Sequence, residues 1–340
     1  MARVRHAATK KARWKSHRRA RTEAGIRLLG DIGATNARFA IYTDQRRATR
    51  ARIAPVEQYA SLGEAIEGYL AAEQITSPLR AVALAVASPV TGDQITLTNH
   101  PWSFSQSALR RDLRIGRLIA INDFTANALA VPRLSPKERV AIGGGEAVPD
   151  TPIAVLGPGT GLGVSGLVPA NGLLVPLSGE GGHASMPAAD DRESEVLVRL
   201  RRRFGHVSAE RVLSGQGLVN LYSTLAEIEG VQIESYTPAQ ITDPVIGERE
   251  PLCRAAVDMF CAMLGTVAGG LALTLGARGG VYIAGGIVPR LGTRFVESGF
   301  RERFERMGRF RDYLAAIPTW VVTAAVPAFL GLGEMLERKQ

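Results

Sequence analysis

The stretch Arg27–Tyr42, which reads RLLGDIGATNARFAIY, decides how the N-terminal half of the chain folds. Apolar residues that lead to Asp31 indicate a strand, Gly33–Asn36 indicates a tight turn, and the apolar and polar alternation after it indicates a second strand. The segment Gly30–Thr35, which overlaps this turn, places the carboxylate of Asp31 beside backbone N–H groups and the hydroxyl of Thr35. Such a nest attracts phosphate, and a carboxylate at its mouth can hold a divalent cation. Taken alone the stretch is most simply a structural hairpin, so the phosphate hypothesis depends on matching parts farther along the chain.

Length and composition describe an ordinary globular protein with one basic end. The chain has 340 residues, 46% of them apolar and 21% charged, which is enough for two domains with substantial cores. Residues 1–24 hold nine Lys or Arg against one acid, Glu23, so they contribute +8 of the net charge of +9 and the remainder contributes +1. A nearly neutral body argues against a broad nucleic-acid surface. Residues 1–24 lack the apolar core of a secretory signal, and we expect a disordered basic tail rather than a transit peptide.

The segment from Cys253 to Ala277 bears on where the protein works. Cys253 and Cys261 lie on a predicted helix, separated by about 12 Å of rise, which is too far for a disulfide, and their spacing is not that of a zinc site. Met259–Ala277 has no charged residue and contains Gly265-x-x-x-Gly269, so a membrane span must be considered. Its glycines and threonines and the missing aromatic belt favour a buried helix that packs closely through small residues. We therefore expect a reduced, cytoplasmic protein with no membrane partner.

Apolar periodicity predicts alternating strands and helices after the hairpin. In chain order these are a third strand at Thr49–Ala54, a helix at Ser61–Gln74, a strand at Ala81–Ala87, a loop and short strand at Ser88–Asn99, a helix from a Ser105 cap to Leu113, and a buried strand at Leu118–Ile121. Hairpins and βα units in this order predict a mixed sheet with helices on its faces.

The second half repeats this design after a Pro- and Gly-rich passage at Pro132–Pro152. A strand, a glycine turn and a second strand are predicted first, at Ile153–Leu156, Gly157–Gly163 and Val164–Val168. Helical segments are predicted at Asp190–Phe204, at Ser208–Leu213 with Ser208 as the cap, and at Leu218–Ile228. A strand, a Gly-Gly turn and a helix start follow at Gly279–Leu291, then a strand at Trp320–Thr323 and a closing helix at Ala328–Glu337.

Three glycine turns, at Gly30–Thr35, Gly157–Gly163 and Gly285–Gly286, follow three predicted strands. Ligands of open α/β sheets bind outside the carboxyl ends of strands, although a single glycine turn more often only reverses the chain. Three together, two of them with a threonine that can bond phosphate oxygens, predict a nucleotide cleft between two domains. The turns are not a Walker loop, which needs Gly-Lys-Ser/Thr, nor a dinucleotide fingerprint, because Gly159–Gly163 leads into a strand.

Polar residues in three places are candidates for sugar chemistry. Asp123 follows a strand beside Asn122, where it could accept the proton of a substrate hydroxyl during phosphoryl transfer, or the pair could cap a helix at Thr125–Ala130; the residues alone leave both open. Two side chains, Glu180 and His183, can converge across Gly-Gly, although polar residues in such loops usually face solvent.

Glu210 lies in a short predicted helix, where the residues alone favour a solvated side chain.

Eight segments in order along the chain resemble the bacterial ATP-dependent glucokinase family: GDIGATNARFA, TGD…TNHPW, INDFTANALAVP, GPGTGLGVSGLV, SGEGGH, GHVSAERVLSGQGLVNLY, GGVYIAGGIVPRL and GRFRDYLAAIP. The similarity runs from about Ile26 to the C-terminus. It implies an α/β, two-domain actin-like ATPase fold of ribonuclease H-like topology, with mixed sheets and an interdomain cleft. The implied domains are residues 25–132 with 324–340, and residues 133–323.

The resemblance also implies an activity and its residues. It implies transfer of the ATP γ-phosphate to the 6-hydroxyl of D-glucose, feeding glycolysis, in a homodimer with Mg²⁺ and without nucleic acid. The implied glucose contacts are Asn122, Asp123, Glu180, His183 and Glu210, with Asp123 as the base. The implied nucleotide contacts are Gly30, Asp31, Ile32, Gly33, Ala34, Thr35, Gly159, Thr160, Gly161, Gly285 and Gly286, with Asp31 as the metal residue.

Two departures from the family pattern and two alternative functions remain to be weighed. The family usually has Gly where this chain has Ala34, which would cost about 1 kcal/mol if that position needs a positive φ. The family's Asn-Pro before the last helix is Val326-Pro327 here. The alternatives are a kinase of another hexose and a sugar-sensing transcriptional regulator. Against the regulator, about thirty residues precede Asp31, too few for a helix-turn-helix domain, and the zinc cysteine cluster of the related repressor–kinase family is missing.

Overall fold

The structure, a computed structural model, describes residues 25–98 and 100–338. The predictions for the tail, residues 1–24, and for residue 99 lie outside the described residues. The chain forms two compact units. The first runs to Ala126 and takes in the C-terminal residues from Ala328, and the second is Asn127–Pro327.

The first unit contains seven strands and the first helices of the described chain. Its elements in order are β1 (Ile26–Ile32), β2 (Asn36–Tyr42), β3 (Ala48–Pro55), α1 (Leu62–Ala72), β4 (Leu79–Val86), β5 (Gln94–Thr96), β6 (Ser103–Ser105), α2 (Gln106–Asp112), β7 (Arg117–Asn122) and α3 (Asp123–Ala130). The main sheet has the order β3-β2-β1-β4-β7, and β5 pairs with β6 separately. Because β1, β4 and β7 are parallel while β2 and β3 run antiparallel to their neighbours, the predicted mixed sheet is confirmed.

Helix α1 shows why the periodicity of the sequence predicted this unit well. Ser61 caps the helix by accepting a hydrogen bond from the N–H of Glu64 at 3.2 Å. The helix then buries an i, i+3, i+4, i+7 face: Leu62, Ala65, Ile66 and Tyr69. That face joins the core formed by the apolar residues of β1, β2 and β4.

The second unit holds the remaining strands and most of the helices. Its elements in order are β8 (Arg139–Ala141), β9 (Ile153–Pro158), β10 (Leu162–Ala170), β11 (Leu173–Ser178), α4 (Asp191–Phe204), α5 (Gly215–Glu229), α6 (Pro238–Ile241), α7 (Pro244–Arg249), α8 (Pro251–Leu275), β12 (Val281–Ile283), α9 (Val288–Leu291), α10 (Thr293–Val296), α11 (Phe300–Glu305), α12 (Arg311–Ala315) and β13 (Thr319–Val322). The last helix, α13 (Pro327–Glu337), returns the chain to the first unit. The sheet order is β11-β10-β9-β12-β13-β8.

Helix α8 forms the centre of the second core and confirms the prediction of a buried helix. In the part of the chain that the structure describes, it is the one helix long and apolar enough to cross a membrane, and 61% of its most apolar stretch is buried inside the protein. Side chains at Gly265 and Gly269 would run into the backbone of α11, at Phe300 and Phe304. The two glycines therefore let α8 and α11 approach closely, as in the core of a globular domain.

Four predicted element boundaries or burials were wrong. Strand β1 continues through Ile32, because Asp31 and Ile32 pair with residues of β2, so the first turn is shorter than predicted. The second turn is also shorter, because Gly157 and Gly163 pair within β9 and β10. Strand β7 is half-buried rather than buried, since it lies at the edge of its sheet.

The fourth difference is at Ser208–Leu213, where no α-helix forms. Only a 3₁₀ turn is present, at Ala209–Arg211, and the Ser208 side chain makes no cap hydrogen bond. The backbone is held instead by another segment: Ser208 bridges to Ser185, and the N–H of Ala209 donates to the carbonyl of Ala184 at 2.8 Å. These pairings replace the hydrogen bonds that a helix would have needed.

Candidate active site

The first glycine turn is a tight hairpin with a carboxylate beside it. The N–H of Gly33 donates to the carbonyl of Asn36 at 3.0 Å, and the Thr35 side chain is exposed at the tip. Across the two strands, Arg38 donates to Asp31 Oδ2 at 3.1 Å. Burial raises the pKa of the Asp31 carboxyl, although the charge and hydrogen bond of Arg38 lower it. The ionised carboxylate is therefore only partly compensated, and a cation beside it would be favourable.

The contact of Arg38 with Asp31 is a feature of the candidate site that the sequence reasoning missed, although the stretch Asp31–Arg38 resembles the family's first phosphate motif. The signal was present in the hairpin register, because a short turn after Ile32 places Asp31 opposite Arg38 on β2. The expected strain at Ala34 is absent, since Ala34 is not among the residues with positive φ. Gly30 lies inside β1, where a side chain would run into Leu84 at 2.7 Å, so packing against β4 explains this glycine.

Asn122 and Asp123 lie where β7 passes into α3, and the helix cap is Asn122. Asn122 Oδ1 accepts hydrogen bonds from the N–H groups of Phe124 at 2.9 Å and Thr125 at 3.2 Å. Its amide nitrogen donates to the carbonyl of Ser88 at 3.4 Å. Asp123 Oδ1 also accepts a hydrogen bond from the N–H of Phe124, at 3.0 Å. Asn122 accepts from both N–H groups and is the main cap, which fixes the backbone from which the Asp123 carboxylate projects.

Ser88 is a second residue that the sequence reasoning missed. It is buried, and its hydroxyl accepts a hydrogen bond from the N–H of Thr98 at 2.7 Å. Because the Ser88 carbonyl accepts the hydrogen bond from the Asn122 amide, Ser88 joins the loop after β4 to Asn122. No motif of local sequence reveals this link.

The parallel strands bring these first-unit residues to one edge of the sheet. Ile32, Val86 and Asn122 occupy the same register position on β1, β4 and β7. Asp31 and the Asn122–Asp123 pair therefore lie at the carboxyl ends of β1 and β7, two parallel strands on either side of β4, where α/β sheets bind ligands.

In the second unit, the glycine turns after β9 and β12 lie against each other. The N–H of Gly159 donates to the carbonyl of Gly161 at 2.8 Å, which closes the first of these turns, and Thr160 is exposed at its tip. Gly285 adopts φ +84°, and a side chain there would overlap the carbonyl of Pro158. Only glycine satisfies both demands at position 285.

Open space lies above both turns, since a Cβ at Gly159 or Gly286 would have no atom within 4 Å. Backbone N–H groups beside such space suit phosphate oxygens.

Of the three sugar candidates of the second unit, His183 and Glu210 come together in space, and Glu180 lies in the same loop as His183. His183 Nδ1 lies 4.0 Å from Glu210 Oε1, with side chains 60% and 33% exposed. Glu180 precedes the 3₁₀ turn Gly181–His183, and its carbonyl accepts from the N–H of His183 at 3.0 Å. Ser185 and His206 connect the two loops through a hydrogen bond of 2.9 Å between hydroxyl and ring nitrogen. The pairing of Ser208 with Ser185, which prevents a helix, therefore also brings Glu210 close to the Glu180–His183 loop.

A metal would fit here only as a partner of phosphate. Within residues 25–98 and 100–338, no group of three or more His, Cys, Asp or Glu side chains could hold a metal ion. One half-compensated carboxylate, Asp31, suits Mg²⁺, which is usually bound by one or two carboxylates together with substrate phosphates and water. The residues therefore fit a magnesium ion that arrives with a nucleotide.

The sheet order, the glycine turns and the acidic and amide residues at the strand ends define a phosphotransferase of the sugar kinase class. The family model Glucokinase matches residues 28–339. A glucokinase of Paramagnetospirillum magneticum is 50% identical over 310 residues, covering 91% of this chain and 97% of that one, and a glucokinase of Aromatoleum aromaticum is 48% identical over 312 residues, covering 92% and 94%. The crystal structure of a glucokinase from an Antarctic psychrotroph has a TM-score of 0.83 at 37% identity, covering 93% of this chain and 99% of that one. The chain belongs to the glucokinase family.

Proposed function

We propose that this protein transfers the γ-phosphoryl group of ATP to the 6-hydroxyl of D-glucose, giving glucose 6-phosphate and ADP. The observation that carries the proposal is the Asp123 carboxylate, which follows a capping asparagine at the carboxyl end of a parallel strand. Its relatives are named glucokinase, and that name gives glucose as their substrate. The reaction would feed glycolysis in the cytoplasm.

Asp123 is the proposed general base. Its carboxylate accepts the proton of the 6-hydroxyl as that oxygen attacks the γ-phosphorus, and ADP leaves in line. Because α3 is capped by Asn122, the backbone of Asp123 is held in one position, and positioning is most of what phosphoryl transfer asks of a protein.

The other sugar contacts differ in the hydrogen bonds they have left to offer. Asn122 uses its oxygen for the helix and one N–H for Ser88, so it offers a sugar hydroxyl its second N–H. Glu180, His183 and Glu210 offer acceptor oxygens and ring nitrogens from the second unit. Such a set of donors and acceptors matches the several hydroxyl groups of a hexose.

The three glycine turns are the proposed nucleotide contacts. The backbone of residues 30–35 and 159–161, with the Thr35 and Thr160 hydroxyls, would bond phosphate oxygens, and Gly285–Gly286 would lie against the adenosine. Asp31 would hold Mg²⁺. Support comes from the raised pKa of the Asp31 carboxyl, whose charge the hydrogen bond from Arg38 compensates only in part. When bound, Mg²⁺ neutralises charge on the β- and γ-phosphates.

We also propose that the chain forms two ribonuclease H-like domains of an actin-like sugar kinase, residues 25–132 with 324–340 and residues 133–323, whose bounds lie within a few residues of those of the two compact units. Support comes from the matching sheet orders β3-β2-β1-β4-β7 and β11-β10-β9-β12-β13. Each begins with a strand, a glycine turn and an antiparallel second strand. A homodimer is proposed as well; three apolar side chains exposed on edge strand β11, Leu173, Val175 and Leu177, are typical of a surface that associates.

A panel of hexoses with ATP and Mg²⁺, followed by coupled release of ADP, tests the activity. Turnover should be highest with glucose, and kcat/KM for glucose should exceed that for mannose, fructose and galactose. Preference for another hexose would replace glucose in the proposal, and no turnover of any sugar would overturn it.

A further inference from the structure

Glu210 touches both halves of the proposed second-unit site at once. Its Oε2 accepts a hydrogen bond from the N–H of Leu162 at 2.8 Å, and Leu162 is the first residue after the turn at 159–161. Its Oε1 lies on the side of His183, 4.0 Å from Nδ1. A single carboxylate thus has one oxygen on the phosphate turn and the other beside a sugar contact.

Two more contacts join neighbouring segments to the same turn, one from the segment that follows Glu210 and one from the loop that carries His183. The N–H of Gly215, at the start of α5, donates to the carbonyl of Gly159 at 2.9 Å. A side chain at Gly182 would overlap the carbonyl of Leu162, so the Glu180–His183 loop rests directly on the same residue. The turn is therefore enclosed by the two loops that carry the sugar contacts.

Gly161 shows that this arrangement restricts the sequence of the turn. A Cβ at position 161 would overlap Glu210 Oε2. Gly161 does not adopt a positive φ, so its backbone does not require glycine. A side chain at position 161 would therefore have to displace the Glu210 carboxylate from the turn.

We propose that Glu210 couples sugar binding to nucleotide binding, with Gly161 as the positioning residue that admits its carboxylate to the turn. The proposal rests on the function proposed above. A sugar hydroxyl on Oε1 fixes the carboxylate, and the fixed carboxylate holds the Leu162 N–H and the turn that receives the phosphates. By linkage, bound nucleotide must strengthen sugar binding by the same factor.

The experiment measures the Kd of glucose by calorimetry, with and without saturating Mg²⁺ and the non-hydrolysable ATP analogue AMPPNP. In the unaltered enzyme, AMPPNP should tighten glucose binding by about fivefold or more, the lower end of ordinary coupling. In Gly161→Ala, whose methyl group displaces the carboxylate, the two Kd values should agree within about twofold, with no measurable coupling left. Glucose binding without nucleotide should also weaken.

Gly159→Ala is the matched control, because its methyl group enters the same turn without meeting any atom. It should raise the KM of ATP but leave the Kd of glucose without nucleotide unchanged. Glu210→Gln provides the second test, since its side-chain oxygen can still accept from Leu162. Its glucose binding should weaken while coupling stays within about twofold of the original factor.

The outcomes separate this inference from the proposed function. No glucose binding or turnover by the unaltered enzyme would overturn the function. The inference alone would be overturned if the unaltered enzyme bound both ligands normally without coupling. It would also be overturned if coupling persisted in a folded Gly161→Ala variant. If Gly161→Ala does not fold, Glu210→Ala takes its place, because it lacks both carboxylate oxygens: coupling that persists in a folded Glu210→Ala variant would overturn the inference.

Discussion

At the level of single residues, Asn122 and Asp123 are neighbours with separate tasks. Asn122 accepts hydrogen bonds from two N–H groups at the start of α3 that the helix itself cannot satisfy. Asp123 accepts from one of the same groups, the N–H of Phe124, and an asparagine at position 123 keeps an oxygen that can accept it. The charge of Asp123 can therefore be removed without removing the cap. The chemistry at Asp123 can therefore be tested apart from stability.

Asp123→Asn should lower kcat by about 10²–10⁴-fold, because an amide cannot accept the hydroxyl proton. Its melting temperature should change little, since Asn122 still caps α3. The Kd of glucose should rise only modestly, as the other sugar contacts remain. Steady-state kinetics and thermal melts of the purified variant measure all three.

Asn122→Ala is the complementary variant, and it should cost about 1 kcal/mol of stability as the cap is lost. An Asp123→Asn enzyme with near-native kcat would remove Asp123 from the mechanism.

At the level of elements, helix α8 combines a core position with both cysteines of the chain. Cys253 and Cys261 are free, as their spacing on a helix predicted, and both are buried. Burial raises the pKa of Cys253 to about 11 and that of Cys261 to about 12. The thiolate is the reactive form. The raised pKa values keep both thiols neutral, and burial keeps reagents away from them.

Thiol titration with DTNB at pH 8 should therefore detect almost no reaction in the native enzyme over minutes. In guanidinium chloride, both of the chain's cysteines should react, which serves as the control. Since raised pKa values keep the thiols neutral until the pH rises toward about 11, native reactivity should increase only in strongly alkaline solution or on unfolding. Rapid labelling of one thiol at pH 8 would show that α8 opens locally.

The elements also show what sequence reasoning can and cannot reach. The apolar face of α1 and the Ser105 cap of α2 are local patterns, and both were predicted correctly. The end of β1 was predicted wrongly, and so was a helix after Ser208, where none forms. Both depend on pairing with another segment, Asp31 with Arg38 on β2 and Ser208 with Ser185, and such pairing leaves no periodic signal.

At the level of the whole molecule, each unit starts with the same arrangement of strand, glycine turn and strand. That arrangement could be read from the sequence, because both halves show it in order. The hydrogen bond between Leu162 and Glu210 could not, since it joins residues 48 positions apart through two irregular loops. Resemblance to a family indicated Glu210 as a sugar contact, but only the structure shows that it is bonded to Leu162, beside the glycine turn at 159–161.

The last prediction concerns the basic tail, residues 1–24, which lies outside the described residues and before the family match that begins at residue 28. Deleting it removes +8 from a net charge of +9 and should leave about +1. Since every proposed site residue lies beyond it, kcat and the KM values of glucose and ATP should stay within about twofold of the full chain, an effect below 0.5 kcal/mol. Sedimentation should give the same dimer mass for both proteins. Lower solubility near neutral pH is expected, because a molecule with little net charge repels its copies weakly. A large loss of turnover, or a change of mass to the monomer, would show that the tail assembles the enzyme.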